Sequence, residues 1–99
     1  MQLFRSELID DLNIPVGGSV KLESLRVAVV PPYLMLMPFI KLPEWIVLEE
    51  QLALDEDGVH GCIYVLNAAH AGAGEIEIGF QDMQTREVTH SKVITVRAH

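Results

Sequence analysis

The sequence predicts an all-β fold: a small antiparallel sandwich or barrel of six or seven short strands. Three observations carry this. Apolar and polar residues alternate with period two in several segments. Clusters of Gly, Pro, Asn and Asp punctuate the chain between those segments. No stretch holds a helical apolar stripe long enough for a major helix. At 99 residues and 49% hydrophobic content, residues 1–99 suit one domain with one core.

The clearest element is a closing hairpin. Ala71-Gly72-Ala73-Gly74 reads as a small-residue turn that launches Glu75-Ile76-Glu77-Ile78-Gly79-Phe80. Alternation puts Ile76, Ile78 and Phe80 on one face and Glu75, Glu77 and Gln81 on the other. Polar residues Gln81 to Glu87 turn the chain, and Val88 to Ala98 returns as a Val-, Ile- and Thr-rich strand.

Upstream, Gln2 to Leu8 fits a strand or a short helix, and the β context favours a strand. Asp10 to Asn13 reads as a turn, and Gly17-Gly18 as another. Ser19 to Leu25 alternates with Val20 and Leu22 inward. Val27 to Val30 is apolar on both faces, and Pro31-Pro32 stops any ladder. Tyr33 to Met37 is apolar again. Pro38 and Pro43 bracket Phe39 to Leu42, and their missing donors place them at edges or in loops.

Trp45 to Leu48 opens a further strand, with Ile46, Leu48, Leu52 and Leu54 as its expected inward set. Glu50 breaks that pattern; a bulge near Glu49-Glu50 explains it, as does a helical turn over Glu49 to Leu54. Asp55-Glu56-Asp57-Gly58 is a turn. Val59 to Asn67 follows, with Ile63 and Val65 on one face and Cys62, Tyr64 and Leu66 on the other. Apolar residues on both faces mark a central strand.

Charge narrows the function. Seven Lys and Arg stand against fourteen Asp and Glu, a net charge of -7. No basic stripe exists to meet a phosphate backbone or an anionic bilayer, so neither nucleic acid nor membrane is an expected partner. The longest uncharged apolar run, Val27 to Ile40, is short and broken by prolines. The N-terminus has acids early and no uninterrupted apolar core of a signal peptide, so a cytoplasmic location is expected. The lone Cys62 forbids an internal disulfide.

Chemistry is sparse. His60, His70, His90 and His99 show no ligand spacing with one another or with Asp55, Asp57 and Asp82, so no metal site is expected. The Asp55 to Asp57 turn lacks the alternating ligands of a calcium loop. Gly72-Ala73-Gly74 precedes a strand and an acid, which is not a phosphate cradle. Cys62 sits in an apolar strand, where a free cysteine behaves as a small hydrophobe. No catalytic residue and no cofactor are expected. The surplus apolar segment Val27 to Trp45 is the functional lead. Core is its plain explanation. The sharper one is a partner-binding surface comprising Met35, Met37, Phe39, Leu42 and Trp45, with adaptable methionines and an aromatic anchor.

The C-terminal half resembles a family. Cys62-Ile63-Tyr64-Val65-Leu66, the corner Ala69 to Gly74, the strand Glu75 to Phe80, a polar loop and Val93-Ile94-Thr95-Val96 look like the end of a chagasin-like domain. Val16-Gly17-Gly18-Ser19-Val20 and the single Trp45 before a strand are similar to its first half. The layout spans Val16 to Val96 and is shared with many bacterial immunoglobulin-like domains. The resemblance implies an immunoglobulin-like antiparallel β-sandwich. It also implies inhibition of papain-like cysteine proteases by loops at one end that enter the active-site cleft. The family's loop motifs are missing. Phe39-Ile40-Lys41-Leu42-Pro43-Glu44 stands where an Asn-Pro-Thr-Thr-Gly-Tyr type motif would precede Trp45. Gln81-Asp82-Met83 follows Phe80 without Arg-Pro-Trp.

Two expectations result. The first is a non-enzymatic module that binds a protein partner, or itself, through the apolar Pro-rich segment and end loops. The alternative is a chagasin-type inhibitor of papain-like cysteine proteases with divergent loops.

Overall fold

A computed structural model describes residues 1–28, 35–56 and 59–99. Two sheets face each other as a sandwich. The first contains β1 (Leu3–Arg5), β3 (Ser19–Glu23), β4 (Val27–Ala28), β6 (Ile46–Glu56) and β7 (Val59–Ala68). The second runs β2 (Asp11–Ile14), β9 (Val88–Ala98), β8 (Gly72–Asp82), β5 (Leu36–Lys41). β7 is central, as its two apolar faces predict. β6 runs along one edge of it for the full length, so β3 and β4 share the other.

The core is the product of alternation. Val20, Leu22, Cys62, Tyr64, Leu66 and Ala68 point inward from the first sheet. Leu12, Ile14, Ile76, Ile78, Phe80, Ile94 and Val96 meet them from the second. Each fully buried aliphatic side chain contributes roughly 1.5–3 kcal/mol relative to exposure. The closing hairpin follows the expected faces: Ile76, Ile78 and Phe80 are buried, and Glu75 is exposed.

Several expectations are corrected. Asp10 to Asn13 is not a turn: Asp11–Ile14 is a strand lying parallel to β9. Its acids and Asn13 hid an alternation in which Leu12 and Ile14 are the buried members. The strand and helix readings of Gln2 to Leu8 each hold for part of it. β1 pairs parallel with β3, and Ser6–Leu8 is a 3₁₀ turn. The sandwich is therefore antiparallel apart from these two short N-terminal strands. Nine strands appear among the described residues, because the first segments split between the sheets. The predicted turn Ala71 to Gly74 is largely ladder, since Gly72, Ala73 and Gly74 pair with Ala98, Arg97 and Val96. Val29 to Leu34 and Asp57-Gly58 lie outside the described residues.

The bulge in β6 exists, and its consequence reverses part of the inward set. Register shifts between Leu48, opposite Leu66, and Glu50, opposite Val65. One extra residue flips every later side chain to the other face. Ile46 and Leu48 keep the core side. Beyond the bulge, Gln51 and Ala53 lie opposite the core residues Tyr64 and Cys62, and Leu52 and Leu54 turn outward. The helical alternative fails because every described residue on either side of the bulge has a β7 partner.

The N-terminal segment is fastened by charge. Glu23 points to the outer face yet is buried, covered by Arg5 and Arg26, both ion-paired to it. Without those cations its burial would cost several kcal/mol. Lys92 Nζ donates to the Ser6 carbonyl at 2.8 Å and lies 3.5 Å from Asp10. These contacts pin the 3₁₀ turn to β9.

Two substitutions test this packing. A Cβ on Gly79 would collide with the His90 carbonyl, which is backbone and cannot rotate aside. Gly79→Ala should lower unfolding free energy by at least about 2 kcal/mol in denaturant titration. Burial pushes the Tyr64 phenol far above its ordinary pKa, and the Cys62 thiol is its neighbour. Among the described residues no nitrogen or oxygen partner meets that hydroxyl. Tyr64→Phe should therefore change stability by less than about 1 kcal/mol, unlike a usual large core truncation.

Candidate functional site

Strand ends from both sheets meet at one end of the sandwich: β4, the starts of β5 and β7, and the β8–β9 connection. Their meeting is visible in the pairing of Val27 with His60 and Ala28 with Val59. It is visible again where the Met83 N–H donates to the Met35 carbonyl at 2.8 Å. The β8–β9 tip is described throughout, and it is the best-formed part of this end.

Its sequence explains its shape. Asp82 Oδ1 accepts the backbone N–H groups of Gln84 at 2.7 Å and Thr85 at 3.0 Å. This is an Asx-type turn, which a short acidic side chain makes with its own following backbone. The Arg86 N–H donates to the Asp82 carbonyl, and the Asp82 N–H to the Glu87 carbonyl. Arg86 sits at φ 64°, a left-handed conformation held by those bonds. The Thr85 and Gln84 N–H groups hold the Asp82 carboxyl below its usual pKa. One ladder step earlier, register shifts between Phe80, opposite His90, and Gln81, opposite Val88. Thr89 is the extra residue, and its hydroxyl bonds the Phe80 carbonyl at 3.3 Å. A bulge at this point re-aims the tip.

The expected partner-binding residues fall into two places. Met35 and Met37 are exposed beside the tip. Met37 shares a hollow of about 230 Å³ with Gln81, Asp82, Met83 and Arg86. Phe39 continues the outer stripe of β5, half-buried opposite Gly79, with the Lys41 ammonium 6.0 Å from its ring centroid. Leu42 and Trp45 lie beyond the other end of β5, packed against the core. Carbons of the Trp45 indole would stand 3.0–3.3 Å from a Cβ on Gly72, and Pro43 3.2 Å from one on Gly74. The glycines that read as a corner are the floor for this cap. Met83 and Arg86 join the loop end unforeseen. The signal was present: an apolar Met83 in an otherwise polar turn is out of place unless it has work to do.

The remaining hollows have less to offer. One, about 440 Å³, is a shallow depression lined by Lys41 and Glu77, which form an ion pair. Another, about 390 Å³, opens between the sheets beside Cys62, His60, Gln51 and Phe80. Burial pushes the Cys62 thiol above its ordinary pKa, with hydrogen bonds to Tyr64, Ser24 and Gln51 opposing. A nucleophilic cysteine needs the opposite shift. Among the described residues no three His, Cys, Asp or Glu side chains converge on a metal position.

Neither a protein-family model nor a curated protein matches the sequence. The fold does match a solved structure. The crystal structure of the cysteine protease inhibitor EhICP2 from Entamoeba histolytica superposes with a TM-score of 0.75 at 17% identity, covering 99% of this chain and 94% of that one. The chain thus has the immunoglobulin-like β-sandwich fold of that structure over essentially its whole length.

The Asx turn gives a pH-dependent prediction. A depressed carboxyl pKa stabilises the turn above the unfolded carboxylate range and loses that effect as pH falls through the folded value. The Gln84 and Thr85 amide resonances should shift together, with a midpoint below that of an unpaired aspartate. Asp82→Ala should abolish the transition and speed hydrogen exchange at both amides.

Proposed function

We propose that this chain is a non-enzymatic protein ligand that places the Met83 hairpin, with Met35 and Met37 beside it, in the active-site cleft of a papain-like cysteine protease. The observation that carries this reading is the end-to-end fold match to a cysteine protease inhibitor. The loop end supplies a suitable probe. Its tip is narrow, tied by Asp82, and carries exposed methionine. A preformed tip loses less conformational entropy on binding than a mobile one. Methionine adapts to an irregular apolar cleft, and covering the exposed part of each side chain stabilises the complex by roughly 1 kcal/mol.

The mode follows from the chemistry available. The tip offers a protease no activated carbonyl and no thiol, so inhibition is non-covalent and competitive. Met35, Met37 and Phe39 belong to the contact surface or its flank. Leu42 and Trp45 serve the opposite end, and their partner contacts would require a second face.

Titration of papain with the purified chain, read by hydrolysis of a fluorogenic peptide, should give reversible competitive inhibition at micromolar protein or below. Met83→Asp should weaken it at least about tenfold, equivalent to about 1.4 kcal/mol, while leaving the circular dichroism spectrum unchanged. Full protease activity at micromolar inhibitor would remove papain and its close relatives as targets.

A further inference from the structure

The flank of the sandwich carries a second feature, away from the loop end. β6 is eleven residues long, and among the described residues its one neighbour is β7. The other outer strands are blunted. β1 and β2 are three and four residues long, and β5 has Pro38 in its middle. A long strand edge is a template for pairing with another chain.

Register identifies the open groups. The Ala69 N–H donates to the Trp45 carbonyl, so odd-numbered residues of β7 direct their backbone toward β6. Their partners Val47, Glu50, Leu52 and Leu54 are engaged in return. Leu48, Gln51 and Ala53 therefore direct their N–H and C=O groups away from the sheet. Leu48 is itself 39% exposed although it points to the core side, and Val47 and Leu52 on the outer face are exposed as well.

Charge selects the occupant. Residues Ile46–Glu56 contain Glu49, Glu50, Asp55 and Glu56 and no Lys or Arg. The bulge brings Glu49 and Glu50 to the same outer face, where Glu49 accepts from the Ser19 hydroxyl at 3.0 Å and Glu50 lies opposite Val65. A second copy added antiparallel would set acids against acids on a chain already at -7. A strand bearing bases has the opposite sign.

We propose that β6 accepts an extended segment of a partner protein, in which Lys or Arg alternates with apolar residues, as an added strand of the first sheet. The backbone of Leu48, Gln51 and Ala53 supplies the ladder. Leu48 and Ala53, on the core side, line the apolar positions, and Glu49 and Glu50, on the outer face, meet the bases. This surface is independent of the protease-directed loop end.

The probe is a synthetic peptide of alternating Lys and Val, compared with one of alternating Glu and Val, added to the isotope-labelled full chain. The Lys/Val peptide should shift the amides of Leu48, Gln51 and Ala53, with affinity falling as salt rises; the Glu/Val peptide should not. Gln51→Pro removes an outward donor and spares the β7 ladder, and should weaken binding at least about tenfold. Glu50→Lys, a surface change that does not touch the ladder, should weaken it as well, which covers the case in which the proline variant unfolds. The proposal is overturned by absence of binding, by equal binding of the acidic peptide, by shifts confined to another face, or by self-pairing of the protein through β6.

Discussion

Everything in this fold depends on β7 being buried on one face and flanked on both edges. Tyr64, Leu66 and Ala68 close against the second sheet. Meanwhile β6 covers one edge, and β3 and β4 share the other. Its opposite number is β8, whose Ile76, Ile78 and Phe80 are sealed from water. Two strands in that condition admit one register, because a slip by a single residue would expose the whole apolar set. The remaining strands take their positions from these two.

Irregularities in the ladders fall at the two surfaces proposed to meet partners. The extra residue at Thr89 redirects the β8–β9 tip just before the Asx turn. The extra residue near Glu49 swaps the faces of β6, bringing Leu52 outward and putting Gln51 on the core side. Each bulge gives up one ladder step and gains a surface that regular pleating would not present. Polar groups fasten the N-terminal part of the chain: Glu23 with its two arginines, Lys92 on the Ser6 carbonyl, and the buried Ser24 hydroxyl accepting from the Cys62 N–H.

The loop end was half legible before any fold was known. Met35 and Met37 stood out as apolar residues in excess of a loop's needs, and they sit beside the tip. Leu42 and Trp45 belonged to the same linear segment, but β5 carries the chain from one end of the sandwich to the other, so segment neighbours became opposite poles. Met83 came from a distant strand connection, and linear proximity could not have linked it to Met35. The resemblance drawn from the C-terminal strands implied the sandwich, and the fold match over 99% of the chain agrees with it.

By itself the sequence determined that β3, β7, β8 and β9 pleat, and which faces β3 and β8 bury, because period-two alternation of large apolar residues is a local property. It also determined that a bulge or its equivalent must interrupt Glu49-Glu50, since two adjacent acids cannot both follow the alternation. Tertiary structure decided what depends on a partner strand. Asp11–Ile14 became a strand because β9 offered it an edge. Gly72 and Gly74 acquired their purpose because an indole and a proline lie on them. The loop end formed because strand ends far apart in the chain return to one end of the sandwich, a consequence of long-range pairing that no local pattern encodes.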